Sequence, residues 1–138
     1  MKKISLEWLN SAKDDLLIIT KIIDDVLLTH QVAFHAQQAL EKSIKSVIEE
    51  FEIDFIKTHS LETLFGKIQG YISLSIEIAI IKKLDQLYID ARYPGDIGLL
   101  PEGKPSINDA IEFQQVAEYT YITILNTLNA ILSVPEIR

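Results

Sequence analysis

Cysteine is absent from this chain of 138 residues. That excludes disulfides and thiolate metal sites and fits a reducing compartment. Glycine and proline are scarce, five and four in all. Most of them lie between Pro94 and Pro105, so the rest of the chain carries little turn punctuation. Long apolar runs are missing too. The greasiest stretch, Ile72 to Ile81, contains Glu77 and is shorter than the roughly 20 residues of a membrane span. Met1-Lys2-Lys3 is basic, but Glu7, Asn10, Lys13, Asp14 and Asp15 leave no apolar stretch of the kind a signal peptide has. A cytoplasmic chain with no membrane association is expected. Positive charge is also in deficit: 13 Lys and Arg face 20 Asp and Glu, a net charge of −7. Duplex DNA is therefore not an expected partner, and any anion site must be a local cluster of cations on an acidic body. No P-loop, GxGxxG, GxSxG or HExxH occurs, and His30, His35 and His59 lack a zinc-binding spacing. Metallohydrolase, kinase-like and serine-hydrolase chemistry have no positive support, and no metal or cofactor is expected.

What is present is a strong helical pattern. An apolar fraction of 48% suffices for one core, so residues 1–138 are read as one domain. The first helix is expected from an N-cap at Ser5 to about Leu28, with Trp8, Leu9, Ala12, Leu16, Ile19, Ile23 and Leu27 on one face. The second runs from about Gln31 to Phe51. A short third starts near Thr58 to Ser60 and ends near Gly70. The fourth runs from Ser73 or Ser75 to Ala91, carrying Ile76, Ile80, Leu84, Leu87 and Tyr88. The fifth follows the cap-like Ser106-Ile107-Asn108-Asp109 and reaches about Leu132. Its face is Phe113, Ala117, Thr120, Tyr121, Ile124, Leu128 and Ile131. No period-2 alternation is sustained. The fold class is all-α: an up-and-down antiparallel bundle of four long helices plus one short helix.

The second helix carries the chemistry. At about 100° per residue, Ala33, Ala36, Leu40, Ile44, Val47, Ile48 and Phe51 form its apolar face. His35, Gln38, Lys42, Lys45 and Glu49 fall in a stripe about a quarter-turn wide on nearly the opposite side. Imidazole, amide and ammonium groups on adjacent turns offer the donors and positive charge that a phosphate or base edge requires. An ordinary solvated helix face would have the same composition, and Lys42→Ala would then change stability little. Phe34 lies beside the stripe and away from the core face. Elsewhere, His59 stands at the start of the third helix, where it would cap, pack or meet a ligand anion. Arg92 ends the fourth helix before Pro94, satisfying the helix terminus or offering a bidentate phosphate fork.

These segments resemble the HEPN family (higher eukaryotes and prokaryotes nucleotide-binding). Trp8-Leu9 with Ala12 and Asp15-Leu16 is similar to its opening helix. Phe34-His35-Ala36-Gln37-Gln38-Ala39 with Glu41-Lys42 and Lys45 resembles its most recognisable block. Thr58-His59-Ser60-Leu61 resembles its Thr-His-Asp-Leu turn, with serine in place of the acid, and Ala91-Arg92-Tyr93-Pro94 its Arg-Tyr-Pro block. The four occur in order between about Leu6 and Leu128. The resemblance implies a helical bundle that forms a homodimer, with a cleft near the dimer interface that binds nucleotide or RNA. It also implies a minimal nucleotidyltransferase as partner, in a toxin–antitoxin or related pair. It shifts His35, Gln38, Lys42, Lys45, His59 and Arg92 from solvated surface to nucleotide-binding candidates. One departure matters. RNase-active members resemble one another in an arginine followed, after roughly four to six residues, by histidine. Here no histidine occurs between Tyr93 and Leu99, and Arg138 is terminal.

The expected function is thus a dimeric nucleotide- or RNA-binding module with weak or no catalysis. Two alternatives stay open: a metal-independent ribonuclease using His35 or His59 with Arg92, and a purely structural protein-interaction dimer. Phe34, Ile78 and Ile89, apolar and off the core faces, motivate the dimer. Asp96 to Lys104, rich in glycine and proline, is expected to be a mobile loop or lid.

Overall fold

The computed structural model describes residues 1–54, 57–91 and 103–133, and among these every regular element is helical. The elements are α1 (Lys3–Ile22), α2 (Thr29–Glu50), α3 (Leu61–Ile68), α4 (Ile78–Ala91) and α5 (Ile107–Ser133), with one 3-10 turn at Val26–Leu28. α2 is the central helix and touches each of the other four. Its buried Ala33, Ala36, Leu40, Ile44 and Val47 meet Leu9, Leu16 and Ile19 of α1, Leu61 and Leu64 of α3, Ile81 and Leu84 of α4, and Phe113, Ile124 and Leu128 of α5 in one apolar cluster. Burying such side chains contributes about 1.5–3 kcal/mol each, which is what holds five helices together without a cross-link.

α1 and α2 form an antiparallel hairpin. The backbone N–H of Lys2 donates to Oε1 of Glu50 at 2.8 Å, joining the start of one helix to the end of the other. Nζ of Lys104, just ahead of α5, donates to the Leu27 carbonyl ahead of α2, so α2 and α5 run in the same sense. Lys83 bridges to Asp109 at 2.9 Å, and the Ser75 N–H donates to Oη of Tyr119 at 3.0 Å. These contacts set α4 antiparallel to α5. The result is the up-and-down bundle expected.

The boundaries depart from expectation where local chemistry intervenes. α1 begins at Lys3, so Ser5 is not its cap but a buried residue within the first turns. The helix stops at Ile22 rather than Leu28. Asp25 turns its carboxylate onto the Leu27 N–H at 2.9 Å, starts the 3-10 turn, and leaves Leu27 66% exposed instead of in the core. α2 starts two residues early, at Thr29. It ends in a Schellman closure: Ile53 N–H donates to the Ile48 carbonyl and Glu52 N–H to the Glu49 carbonyl, with Glu52 left-handed at φ 52°. α4 begins only at Ile78, and residues 73–77 carry no regular structure. α5 begins as expected, since Ser106 Oγ accepts from the Asp109 N–H while the Asp109 carboxylate accepts from the Ser106 N–H. Ile131, assigned to the core face, is instead 47% exposed. Of the loop expected at Asp96 to Lys104, all but Gly103 and Lys104 lies outside the described residues.

Candidate functional site

The site is built on two carboxylates that the bundle buries. Asp15 on α1 and Glu41 on α2 are each only 5% exposed. Asp15 stands one turn from Ala12 and Ile19, and Glu41 one residue past Leu40, so both helices carry an acid at the edge of their apolar faces. A buried carboxylate is costly unless it is paired and hydrogen-bonded. Each of these acquires one imidazole and one ammonium.

At the first, Lys42 donates through Nζ to Oδ2 of Asp15 at 2.7 Å, while Nδ1 of His35 meets Oδ1 at 2.8 Å. At the second, Lys45 donates to Oε2 of Glu41 at 3.0 Å, and Nδ1 of His59 meets Oε1 at 2.9 Å. A carboxylate only accepts, so in both pairs the Nδ1 proton lies between ring and acid, and Nε2 is the nitrogen left for other chemistry. Amides tie the structure further. Gln37 donates through Nε2 to the His59 carbonyl at 3.1 Å and reaches Oε1 of Glu41 at 3.4 Å, while Gln38 donates to Oε1 of Gln37 at 2.8 Å. The Lys45 ammonium also sits 5.2 Å from the centroid of the Trp8 ring, a cation–π contact that fixes it against α1.

His59 is held by its own local scaffold. Thr58 Oγ1 accepts from the Ser60 N–H, and Ser60 caps α3 by accepting from the Thr63 N–H. From α4, Asp85 crosses to this N-terminus and accepts from the backbone N–H groups of Leu61 and Glu62 at 2.8 and 3.1 Å and from Ser60 Oγ at 3.4 Å. Three donors of the first turn are thereby satisfied by a carboxylate placed where the helix dipole favours it. One turn on, the Tyr88 ring lies 5.6 Å from that of His59.

Of the candidates, the fold gathers His35 and Lys42 on Asp15, and Lys45, His59 and, through Gln37, Gln38 on Glu41, as two polar clusters side by side on α2. Arg92 lies outside the described residues. The stripe is not the solvated face that spacing alone allows: His35, Gln38, Lys42 and Lys45 are all half-buried, and only His59 is exposed, with 52% of its side chain accessible. Asp15, Glu41, Gln37, Asp85 and Tyr88 were missed as site residues. The available signal was an acid at the edge of a core-facing helix stripe, since such a group demands a partner. Compensation changes the electrostatics. Each ammonium is offset by one carboxylate, so the cluster is close to neutral while the imidazoles are neutral. Lys42 is thereby paired with a buried acid of another helix.

Among the described residues no group of three His, Asp or Glu gathers as metal ligands, and no helix is long and apolar enough to cross a membrane. A groove of about 290 Å³ lies between α3 and the start of α4, with Phe65, Ile68, Ile72, Leu74 and Ile78 on its walls beside the polar Glu62 and Gln69. Phe34, Ile78 and Ile89 are exposed at 44, 53 and 50%.

The family model of the HEPN domain matches residues 5–121 of the chain. No curated protein and no solved structure is similar enough to match it.

Proposed function

This chain belongs to the HEPN domain family, and from that premise we propose that it is a dimeric module that binds a nucleotide or an RNA end beside a minimal nucleotidyltransferase partner, with weak or no catalysis of its own. The observation that carries this reading is the fastening of His35, Lys42, Lys45 and His59 to two buried carboxylates. Groups held in advance lose little freedom on binding, which is how a half-buried polar cluster gains affinity for a phosphate or base edge. Arg92 joins the proposed binding residues on its place in the sequence alone. The protein acts in the cytoplasm under this reading.

Calorimetric titration with mono- and trinucleotides tests it. Saturable heat is expected, with only modest weakening by added salt, because Lys42 and Lys45 are half-buried and each is offset by a carboxylate. Absence of heat with every nucleotide would overturn the binding reading and leave the structural dimer. Co-purification with the product of an adjacent nucleotidyltransferase gene tests the pairing.

One observation favours a second reading, a metal-independent ribonuclease. A carboxylate behind Nδ1 orients an imidazole for proton transfer at Nε2, and the chain has two such pairs, Asp15–His35 and Glu41–His59. RNA cleavage that persists in chelator and disappears in His59→Gln or His35→Gln would establish it over the binding module. Intact RNA after prolonged incubation would dismiss it.

A further inference from the structure

Beside His59, the segment leading into α3 and the last turns of α4 enclose a groove of about 350 Å³, lined by Lys57, Thr58, His59, Ser60, Tyr88 and Ile89 together with Asp85. Two aromatic rings form part of its wall, His59 and Tyr88, tilted 39° to each other. Ile89 adds an apolar surface that is 50% exposed and that the core does not use. Lys57 supplies an exposed ammonium at the edge. Asp85, the acid among the described lining residues, is engaged by two backbone N–H groups and a hydroxyl of the α3 terminus, so its charge is largely spent inside the protein. The His59 ring is fixed before any ligand arrives, with Glu41 at Nδ1 and Gln37 on its carbonyl.

We propose that this groove seats one unstacked nucleobase against Tyr88, His59 and Ile89, with Lys57 supplying the charge that meets the phosphate of the same nucleotide. The inference rests on the nucleotide- or RNA-binding reading and deepens it. The ligand is a nucleoside monophosphate or a single-stranded RNA end, whose shared chemistry is a free π-face next to a phosphate. Every base has such a face, so stacking on aromatic side chains binds single strands with little sequence preference, whereas a duplex has its faces already covered. The volume lies at the low end of the roughly 300–1,000 Å³ typical of small-ligand clefts, which suits one base and not a pair. The exposed Ile89 beside an exposed ring is what such a seat requires, and among the described residues the apolar core does not include it.

The test uses the intact chain and its Tyr88→Phe and Tyr88→Leu variants, each first checked for an unchanged helical melting curve. AMP, ribose 5-phosphate, a single-stranded trinucleotide and a short RNA duplex are titrated by calorimetry, with the Ile89 methyl resonances followed by NMR. AMP is expected to bind on the order of tenfold tighter than ribose 5-phosphate and to shift the Ile89 methyls upfield. Tyr88→Phe should keep that margin. Tyr88→Leu should lose it while leaving ribose 5-phosphate binding unchanged; should that variant fail to fold, the Ile89 shift with the Phe variant decides alone. A trinucleotide tighter than AMP, with the same methyl shift, identifies an RNA end as the ligand, and the reverse order a free nucleotide. Equal binding of AMP and ribose 5-phosphate, an unmoved Ile89, or a duplex bound as tightly as the trinucleotide overturns the base seat while the phosphate-binding reading stands. No binding of any of the four overturns both.

Discussion

Asp15 shows how one buried residue sets the behaviour of several others. Its carboxylate holds Lys42 and His35 at 2.7 and 2.8 Å while it is itself 5% exposed. Removing Lys42 leaves that acid with the His35 imidazole alone of the two partners, so Lys42→Ala should destabilise the fold by about 1–3 kcal/mol in addition to any loss of ligand affinity. Urea unfolding measures it, and the double variant Asp15→Ala/Lys42→Ala should cost less than the two single changes added together. Strict additivity would mean the pair is not coupled. His30 gives a pH dependence. Burial first, and then the positive charge of Lys104, hold its imidazole below the usual value of 6.5. The unfolded chain therefore takes up this proton before the folded one does. The contribution of His30 is harmless above pH 6.5, and stability is lost as the pH falls from there toward the lowered folded value. Replacing His30 by Gln should flatten the urea midpoint between pH 7.5 and 5 relative to the parent. An identical slope in both proteins would remove His30 as the cause.

At the scale of the helix, two termini are built unusually. α2 closes through Glu52, a non-glycine residue at φ 52°, where a side chain is strained. Its ion pair with Lys2 at 3.0 Å involves a carboxylate 83% exposed and offsets little of that strain. Glu52→Gly should thus raise stability by about 0.5–1 kcal/mol, the strain relieved less the greater freedom of glycine in the unfolded chain. Thermal melting checks the direction; a lower Tm would show that the turn prefers the acid. α3, only eight residues long, depends on Asp85 of α4 for its N-terminal donors. Asp85→Ala should cost about 1–2 kcal/mol and loosen His59, which precedes that terminus directly. Faster hydrogen exchange confined to α3 would be its signature, and unchanged exchange there would count against the strut.

At the scale of the molecule, apolar groups remain on several outer surfaces, including Phe34 beside the α2 network and Ile78 and Ile89 on α4. A two-fold association covering Phe34 would place the His35 and Lys45 clusters of two chains near one another, which is the arrangement a cleft at a dimer interface requires. Light scattering at micromolar concentration is expected to give twice the chain mass, and Phe34→Lys to shift it toward the monomer. A monomeric parent would sink the interface and leave the network to act within a single chain.

Helix period, apolar faces and the capping box at Ser106 and Asp109 were legible in the sequence, because each depends on neighbours no more than a few positions apart. The stripe of His35, Gln38, Lys42 and Lys45 was legible for the same reason. What fills the space opposite that stripe was not. Asp15 meets Lys42 across 27 positions and Glu41 meets His59 across 18, and spacing along one helix says nothing about which neighbouring helix will face it. The early end of α1 was likewise hidden, since a local Asp25 turn competes there with an otherwise continuous apolar period. The sequence by itself thus determined that the chain is a helical bundle and that its second helix carries one imidazole, an amide and two ammoniums on one side. Only the tertiary structure decided that those cations would be neutralised by buried acids and that His59 would join them, because burial creates the need for a partner and packing alone chooses it.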